Sequence, residues 1–145
     1  MTDADKKAKV LAFLQRCPFG VVSTLGLDGF PESAVVAVSE TRNLEIIFGS
    51  FAETRKNRNL KRDSRVSVVI GWDRLEKTTV QIQGRAAFLE QEERQRAEQN
   101  HCLKNPESTK YLNDLRQEYI KIIPDWIRYS NFSKTPQEVW EIYNF

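Results

Sequence analysis

The hydrophobic residues of this chain follow two different periods. Near the start, apolar side chains recur at intervals of three and four residues, the spacing of one helix face: Val10, Phe13, Leu14 and Cys17. Thr2 or Asp3 is a suitable N-cap and Pro18 ends the pattern, so we predict a helix over residues 3–17. From residue 19 onward, short β-branched and alternating runs replace this spacing and indicate strands.

Five such runs predict strands in the first two thirds of the chain: FGVVST, SAVVAV, LEIIFGS, RVSVVIGW and TTVQIQGRAAFL. The first two flank the turn LGLDGFP and predict a hairpin, and TRKNRNLKRD predicts a short helix after the third run. In the last run, Val80 and Ile82 share one face with Gly84, while Gln81 and Gln83 lie on the other. Five strands with short connections favour a small antiparallel barrel over a sandwich.

The last third of the chain is more polar. EQEERQRAEQNHCL and ESTKYLNDLRQ predict two helices lying across the barrel, separated by the breaker Asn105–Pro106, and His101 on the first of them is predicted to be a surface residue. The runs YIKII, PDWIRYS and EVWEIYNF return to a strand pattern and are expected to complete the sheet. We therefore predict a mainly β (α+β) fold, an antiparallel barrel with flanking helices.

Length and composition exclude several classes of protein but do not identify the function. A length of 145 residues fits a single domain, 1–145, and 40% hydrophobic with 29% charged residues is typical of a globular protein. The longest apolar stretch, 34–38, is far too short for a membrane span, and the N-terminus lacks the apolar core of a signal peptide, so we expect a cytoplasmic protein without a membrane partner. One histidine and two cysteines without CxxC spacing argue against a zinc site.

Charge is concentrated in one segment. The whole chain carries a net charge of +2, but residues 52–65 hold six basic and two acidic side chains. Thr54 is a suitable N-cap for the helix predicted there, and Arg55 and Lys56 fall in its first turn, where unpaired N–H groups favour an anion. These residues predict a phosphate site. An ordinary solvated charged helix fits the spacing equally well, whereas the nearly neutral surface argues against nucleic-acid binding.

In their order, these motifs resemble the pyridoxamine 5′-phosphate oxidase-like FMN-binding split-barrel family. The resemblance covers roughly residues 10–89: the opening helix, the hairpin GVVSTLGLDGFPESAVVAV, the block FGSFAETRKNRNLKRDSRVSVVI and the strand TVQIQGRAAFL. The block is the specific part, because family members place a Ser or Thr, a basic residue and a Lys after the third strand, then Asn-Leu and a variant of "dprVsvvi". Those positions here are Thr54, Arg55, Lys56, Asn59–Leu60 and 63–66.

The resemblance implies a single split-barrel domain that binds FMN. The phosphate would be held at the end of the third strand and the start of the short helix, by Gly49, Ser50, Thr54, Arg55 and Lys56. The edge of the isoalloxazine ring would bond to the backbone of the second strand, at Ser33, Ala34, Val35 and Val36. Two departures are visible: Thr79 stands where the family often has a flavin-contacting Gln, and Glu32, Ser33 and Ala34 stand where it often has an Arg.

The resemblance also implies a homodimer with FMN at the interface. Trp126 and Arg128 are candidates to complete the partner's site, although aromatic residues such as Trp126 more often serve core or dimer packing. The implied function is an FMN-dependent oxidoreductase acting on a small-molecule substrate, with no catalytic side chain identified. Alternatives are a flavin-binding redox or stress module without turnover and a true pyridoxamine 5′-phosphate oxidase, whose C-terminal Arg-x-His segment is missing here. Other family members act on flavins or deazaflavin-dependent substrates or bind heme, for which His101 is the only histidine.

Overall fold

A computed structural model describes all 145 residues and shows eight strands and three α-helices. The helices and the 3₁₀ helix that follows them are α1 Asp3–Gln15, α2 Arg55–Arg62, α3 Gln91–Lys104 and the 3₁₀ helix Pro106–Tyr111. The strands are β1 Phe19–Leu25, β2 Pro31–Ala37, β3 Ser39–Glu40, β4 Ile46–Phe51, β5 Arg65–Ile70, β6 Thr78–Phe88, β7 Gln117–Asn131 and β8 Glu138–Ile142. None of the helices is both long and apolar enough to cross a membrane.

The strands form one antiparallel sheet in the order β2-β1-β5-β6-β7-β4-β3, with β8 added to β7. Only Val38 separates β2 from β3, so the two ends of this strand order are adjacent in the chain. Strand β7 pairs with β6 along one edge. Along its other edge, residues 117–122 pair with β4 and residues 127–131 pair with β8, so the sheet is split between β4 and β8. The predicted mainly β fold, a split antiparallel barrel with flanking helices, is confirmed.

The core lies inside the curved sheet, and α1 contributes to it. Val10, Phe13 and Leu14 on the apolar face of α1 are at most 1% exposed and belong to the same cluster as Ile70 and Ile82 of the sheet. The helix begins as predicted: the hydroxyl of Thr2 accepts from the N–H of Asp5, and the Asp5 carboxylate accepts from the N–H of Thr2. Alternation along β6 also matches the prediction, with Val80, Ile82 and Gly84 buried.

The C-terminal third differs from the sequence prediction at two points. The second polar segment is a single 3₁₀ helix, not a longer helix. The runs YIKII and PDWIRYS are joined into one 15-residue strand, β7, although Pro124 interrupts them. The register between β6 and β7 shifts at Gln83/Gly84, opposite Pro124. Pro124 has no N–H to donate to the neighbouring strand, and the β-bulge at this point accommodates it. Gly84 is needed there because a Cβ would lie 2.0 Å from the carbonyl oxygen of Ile123.

Candidate functional site

The predicted phosphate site lies where β4 ends and α2 begins. Thr54 is the N-cap residue, with extended backbone angles, and the first helical bond runs from the N–H of Arg58 to the carbonyl of Thr54 at 3.1 Å. The N–H groups of Arg55, Lys56 and Asn57 therefore have no backbone acceptor. The positive end of the helix dipole is added to these free donors, so the geometry suits an anion.

The Thr54 hydroxyl does not cap the helix, contrary to the prediction from its residue type. Its Oγ1 donates instead to the carbonyl of Phe51 at 2.9 Å or to Oδ1 of Asn57 at 3.1 Å, and it lies 3.2 Å from Oγ of Ser50. These contacts fix the two hydroxyl groups side by side at the start of α2. The first turn of α2 thus keeps its backbone donors available for a ligand.

Two cations of this helix, Lys56 and Arg58, lack a partner, and only Lys56 of these two is partly buried. Its side chain is half-buried, and its ammonium group makes no ion pair or hydrogen bond within the chain. Burial lowers its pKa, because desolvation disfavours the charged form and no carboxylate compensates. Arg55 differs: its side chain is 73% exposed, and its Nε lies 3.5 Å from Oε1 of Glu32. An anionic ligand would therefore relieve the desolvated charge of Lys56.

Two cavities meet at Thr54 and Lys56. The first, the charged cavity, has a volume of about 420 Å³ and is lined by Thr24, Glu32, Ser33, Ala34, Glu53, Thr54, Arg55, Lys56 and Arg58. The second, the aromatic cavity, has a volume of about 370 Å³ and includes Phe19, Val35, Val36, Gly49, Ser50, Phe51, His101, Tyr111 and Gln117 among its lining residues. The structure thus brings together the predicted residues of β2, of the end of β4 and of the start of α2.

The free edge of β2 runs along both cavities. This strand pairs only with β1, so the backbone groups along its other edge have no strand partner between Glu32 and Val36. Exposed N–H and C=O groups on such an edge can bond to the alternating donors and acceptors of a flat ring. Gly49 on the facing strand β4 makes room in the aromatic cavity, since a Cβ there would lie 2.3 Å from Nε2 of Gln117.

Thr79, Trp126 and Arg128 do not line either cavity of their own chain. Thr79 lies on the outer face of β6 opposite Ser130, and its side chain is partly exposed. Trp126 and Arg128 share one face of β7, with the guanidinium 5.7 Å from the indole ring. Arg128 is ion-paired with Glu141 at 2.5 Å, and the Glu141 carboxylate also accepts a hydrogen bond from the Tyr143 hydroxyl. The bond from Tyr143, and after it the bond from Arg128, lower the pKa of Glu141 to about 2.

Two buried asparagines position α2; from the sequence, Asn59 is only a motif position and neither asparagine is assigned a role. Asn57 is fully buried and donates to Oε1 of Glu118 on β7 at 3.0 Å. Asn59 is 5% exposed and donates to Oγ1 of Thr24 at 3.0 Å and to Oε1 of Glu32 at 2.8 Å. Residues two apart lie on opposite sides of a helix, so the two side chains hold α2 to opposite parts of the sheet. The available signal was their residue type, because Asn is a poor helix former.

His101 is buried, and the prediction of a surface residue is wrong. Only 2% of it is exposed, and its Nδ1 lies 2.8 Å from Oγ of Ser39 on β3. Its ring lines the aromatic cavity, and Nε2 has no hydrogen-bond partner in the chain. Burial, and secondarily the nearby ammonium of Lys104, lower the pKa of His101 to about 4, so it is neutral near pH 7.

A protein-family model described as pyridoxamine 5′-phosphate oxidase matches residues 7–141, which is nearly the whole chain. The chain belongs to the pyridoxamine 5′-phosphate oxidase family. This membership confirms the resemblance drawn from the block around Thr54 and extends it beyond residue 89. No curated protein matches the chain significantly.

Several solved structures share the fold of this chain at low sequence identity. A heme binding protein from Mycobacterium smegmatis is 18% identical with a TM-score of 0.78, over 97% of this chain and 58% of that one. A pyridoxamine 5′-phosphate oxidase-related, FMN binding protein from Nostoc punctiforme is 7% identical with a TM-score of 0.71, over 100% and 92%. General Stress Protein 26 from Bacillus anthracis is 21% identical with a TM-score of 0.69, over 97% and 100%. At these identities the likeness shows the fold alone.

Proposed function

We propose that this member of the pyridoxamine 5′-phosphate oxidase family binds FMN and acts as an oxidoreductase on a small-molecule substrate. The observation that carries the proposal is the half-buried, unpaired ammonium of Lys56 beside the free N–H groups of α2. Three kinds of group that bind phosphate lie close together there. They are the backbone N–H groups, the hydroxyls of Ser50 and Thr54, and the cationic side chains of Arg55 and Lys56. The fit of these groups to a phosphate supports FMN as the cofactor.

The cavities also fit the rest of such a molecule. The free edge of β2 offers backbone donors and acceptors at Ser33 to Val36, and the aromatic cavity offers apolar side chains such as Phe51 and Tyr111. Bound FMN would supply the ability to accept and return a hydride. The residues of this chain would hold its phosphate and orient its ring. The FMN binding protein of Nostoc punctiforme in the same fold supports this assignment.

We further propose a homodimer with FMN at the interface. Trp126 and Arg128 lie together on the outer side of β7 and outside both cavities of their own chain. In a dimer they are the side chains we assign to the partner's cofactor, the indole against the ring and the guanidinium near its polar edge. Thr79, on the outer face of the neighbouring strand β6, is assigned to the same contact.

The decisive measurement is a titration of the purified protein with FMN, followed by the visible spectrum and by quenching of flavin fluorescence. We expect saturable binding with one FMN per chain. A protein that binds no flavin at high FMN contradicts the proposal. Turnover is tested separately, as oxidation of NADH or NADPH by the FMN-loaded protein against free FMN at the same concentration. A rate equal to that of free FMN indicates a binding module without catalysis.

Heme is the second candidate ligand, and one observation favours it. His101 lines the aromatic cavity with Nε2 unpartnered, and a heme binding protein shares the fold. A neutral imidazole nitrogen is the usual protein ligand for heme iron. Hemin titration distinguishes the candidates: a sharp Soret band that is lost in His101→Ala supports heme, whereas FMN binding that survives this substitution supports the flavin.

A further inference from the structure

A carboxylate stands in the charged cavity close to the proposed phosphate site. Oε1 of Glu32 accepts from Nδ2 of the buried Asn59 at 2.8 Å, and it lies 3.5 Å from Nε of Arg55. Oε2 lies over Gly26, where a Cβ would approach it to 2.7 Å, so the glycine leaves room for the carboxylate. The side chain is 21% exposed. Glu32 is therefore held in a fixed position and is not a freely moving surface group.

The fixed carboxylate reduces the positive potential that a phosphate meets. Arg55 is the cation nearest to Glu32, and the ion pair at 3.5 Å offsets part of its charge. Glu53 adds a second carboxylate to the lining, against the cations Arg55, Lys56 and Arg58. The cavity thus has a small excess of positive charge. Such a site attracts a phosphate group, and the part of this attraction that Glu32 cancels grows in proportion to the negative charge on the ligand.

We propose that Glu32 sets the charge discrimination of the cofactor site: it reduces the advantage that a doubly charged phosphate monoester such as FMN has there over a singly charged phosphate ester or an uncharged flavin. The inference rests on the proposed flavin site and concerns how strongly that site distinguishes flavins by their phosphate charge. Because the electrostatic energy is proportional to ligand charge, the factor by which Glu32 weakens binding of a dianion is the square of the factor for a monoanion. An uncharged ligand of the same shape is unaffected.

The test compares the wild-type protein with Glu32→Gln, which keeps an oxygen to accept from Asn59 while removing the charge. Three ligands are titrated at pH 8 and constant ionic strength: riboflavin, riboflavin 4′,5′-cyclic phosphate and FMN, which carry no charge, one and about two negative charges. We expect Glu32→Gln to bind FMN roughly tenfold more tightly, the cyclic ester roughly threefold more tightly, and riboflavin within about twofold. Glu32→Ala is expected to change affinity in the same order.

Glu92→Gln is the matched control, because it removes the same charge at an exposed position at the start of α3. It is expected to leave all three affinities unchanged. Two results overturn the inference: equal changes in affinity for the three ligands, or weaker binding of both riboflavin and FMN by Glu32→Gln. Either result indicates that the carboxylate of Glu32 bonds to the ribityl chain, which all three ligands share. Failure of the wild-type protein to bind any flavin contradicts the proposed function instead.

Inorganic phosphate gives a second measurement that does not depend on flavin. It is titrated at pH 8 into wild-type protein and Glu32→Gln, and the amide resonances of Arg55 and Lys56 are followed. Tighter binding of phosphate by Glu32→Gln, by roughly tenfold, supports the inference. The absence of any tightening overturns it, whatever the flavin titrations show.

Discussion

The charged cavity and the aromatic cavity share Thr54 and Lys56 but hold their polar groups in different ways. The charged cavity is lined by ions, several of them exposed, including Arg55 with a 73% exposed side chain. The aromatic cavity has charged groups in its lining too, Lys56, Glu107 and Lys110, but its buried polar groups His101 and Gln117, at 2% and 5% exposure, carry no charge near pH 7. The contrast supports the proposal that the cavities bind different ends of one ligand, one end charged and the other flat and weakly polar.

The largest expected effect tests the uncharged state of His101 in the aromatic cavity. His101 has a pKa of about 4 in the folded protein, against about 6.5 in an unfolded chain. The unfolded state thus binds more protons between these values. The associated stability is complete above pH 6.5 and is lost as the pH falls toward 4, about 3 kcal/mol in all. In His101→Gln, the free energy of unfolding measured by urea denaturation should lose this pH dependence. An unchanged slope between pH 6.5 and 4.5 contradicts a buried neutral imidazole.

The second prediction concerns the boundary that the two cavities share. Replacing Lys56 by Met removes the desolvated charge but keeps most of the side-chain volume. Loss of one charge-assisted phosphate contact should weaken FMN binding by about 1.5–3 kcal/mol, with riboflavin binding little changed. Stability without ligand should not fall, because the buried ammonium has no partner to lose.

Arg58→Gln is the control for the Lys56 variant. Arg58 lines the charged cavity, but it is exposed, so its charge is screened by solvent and a smaller loss of FMN affinity is expected. Equal losses in the two variants would show that the net charge of α2 binds the ligand and that the buried position of Lys56 has no special part.

The smallest effect is expected outside both cavities. Arg128 forms a partly exposed ion pair with Glu141 at the surface, so Arg128→Gln should change the free energy of unfolding by less than about 1 kcal/mol. If Arg128 contacts the partner's FMN as proposed, the same variant lowers FMN affinity while stability stays constant. Denaturation without FMN and titration with FMN separate the two quantities. An FMN affinity equal to that of the wild type contradicts the assigned role.

Local periodicity explains which parts of the fold could be predicted. The spacing of Val10, Phe13 and Leu14 predicted α1, and alternation along β6 predicted its buried face, because each pattern is complete within one element. His101 was missed because α3 is polar on every side, and its burial depends on a contact with Ser39, 62 positions away. The single strand β7 was missed for a similar reason, since the register shift that accommodates Pro124 arises in the pairing of β7 with β6, a strand that is distant in the sequence.

The candidate site was predictable in its main chain and less so in its supporting side chains. The block from Ser50 to Lys56 is contiguous, so sequence order alone placed its residues together. Glu32 was noted as a departure from the family pattern, but its position in the cavity depends on Asn59 and on the absence of a side chain at Gly26. Such contacts join separate segments and leave no periodic signal in the sequence.

The two buried asparagines of α2 have a mechanical consequence. Asn59 bonds the helix to the β1–β2 hairpin and Asn57 bonds it to β7, so this short helix connects two separate parts of the sheet. Local unfolding of α2 would break both connections in one event. A ligand that binds at the first turn of α2 should therefore slow hydrogen exchange on β2 and on β7 together, although these strands are far apart in the order of the sheet.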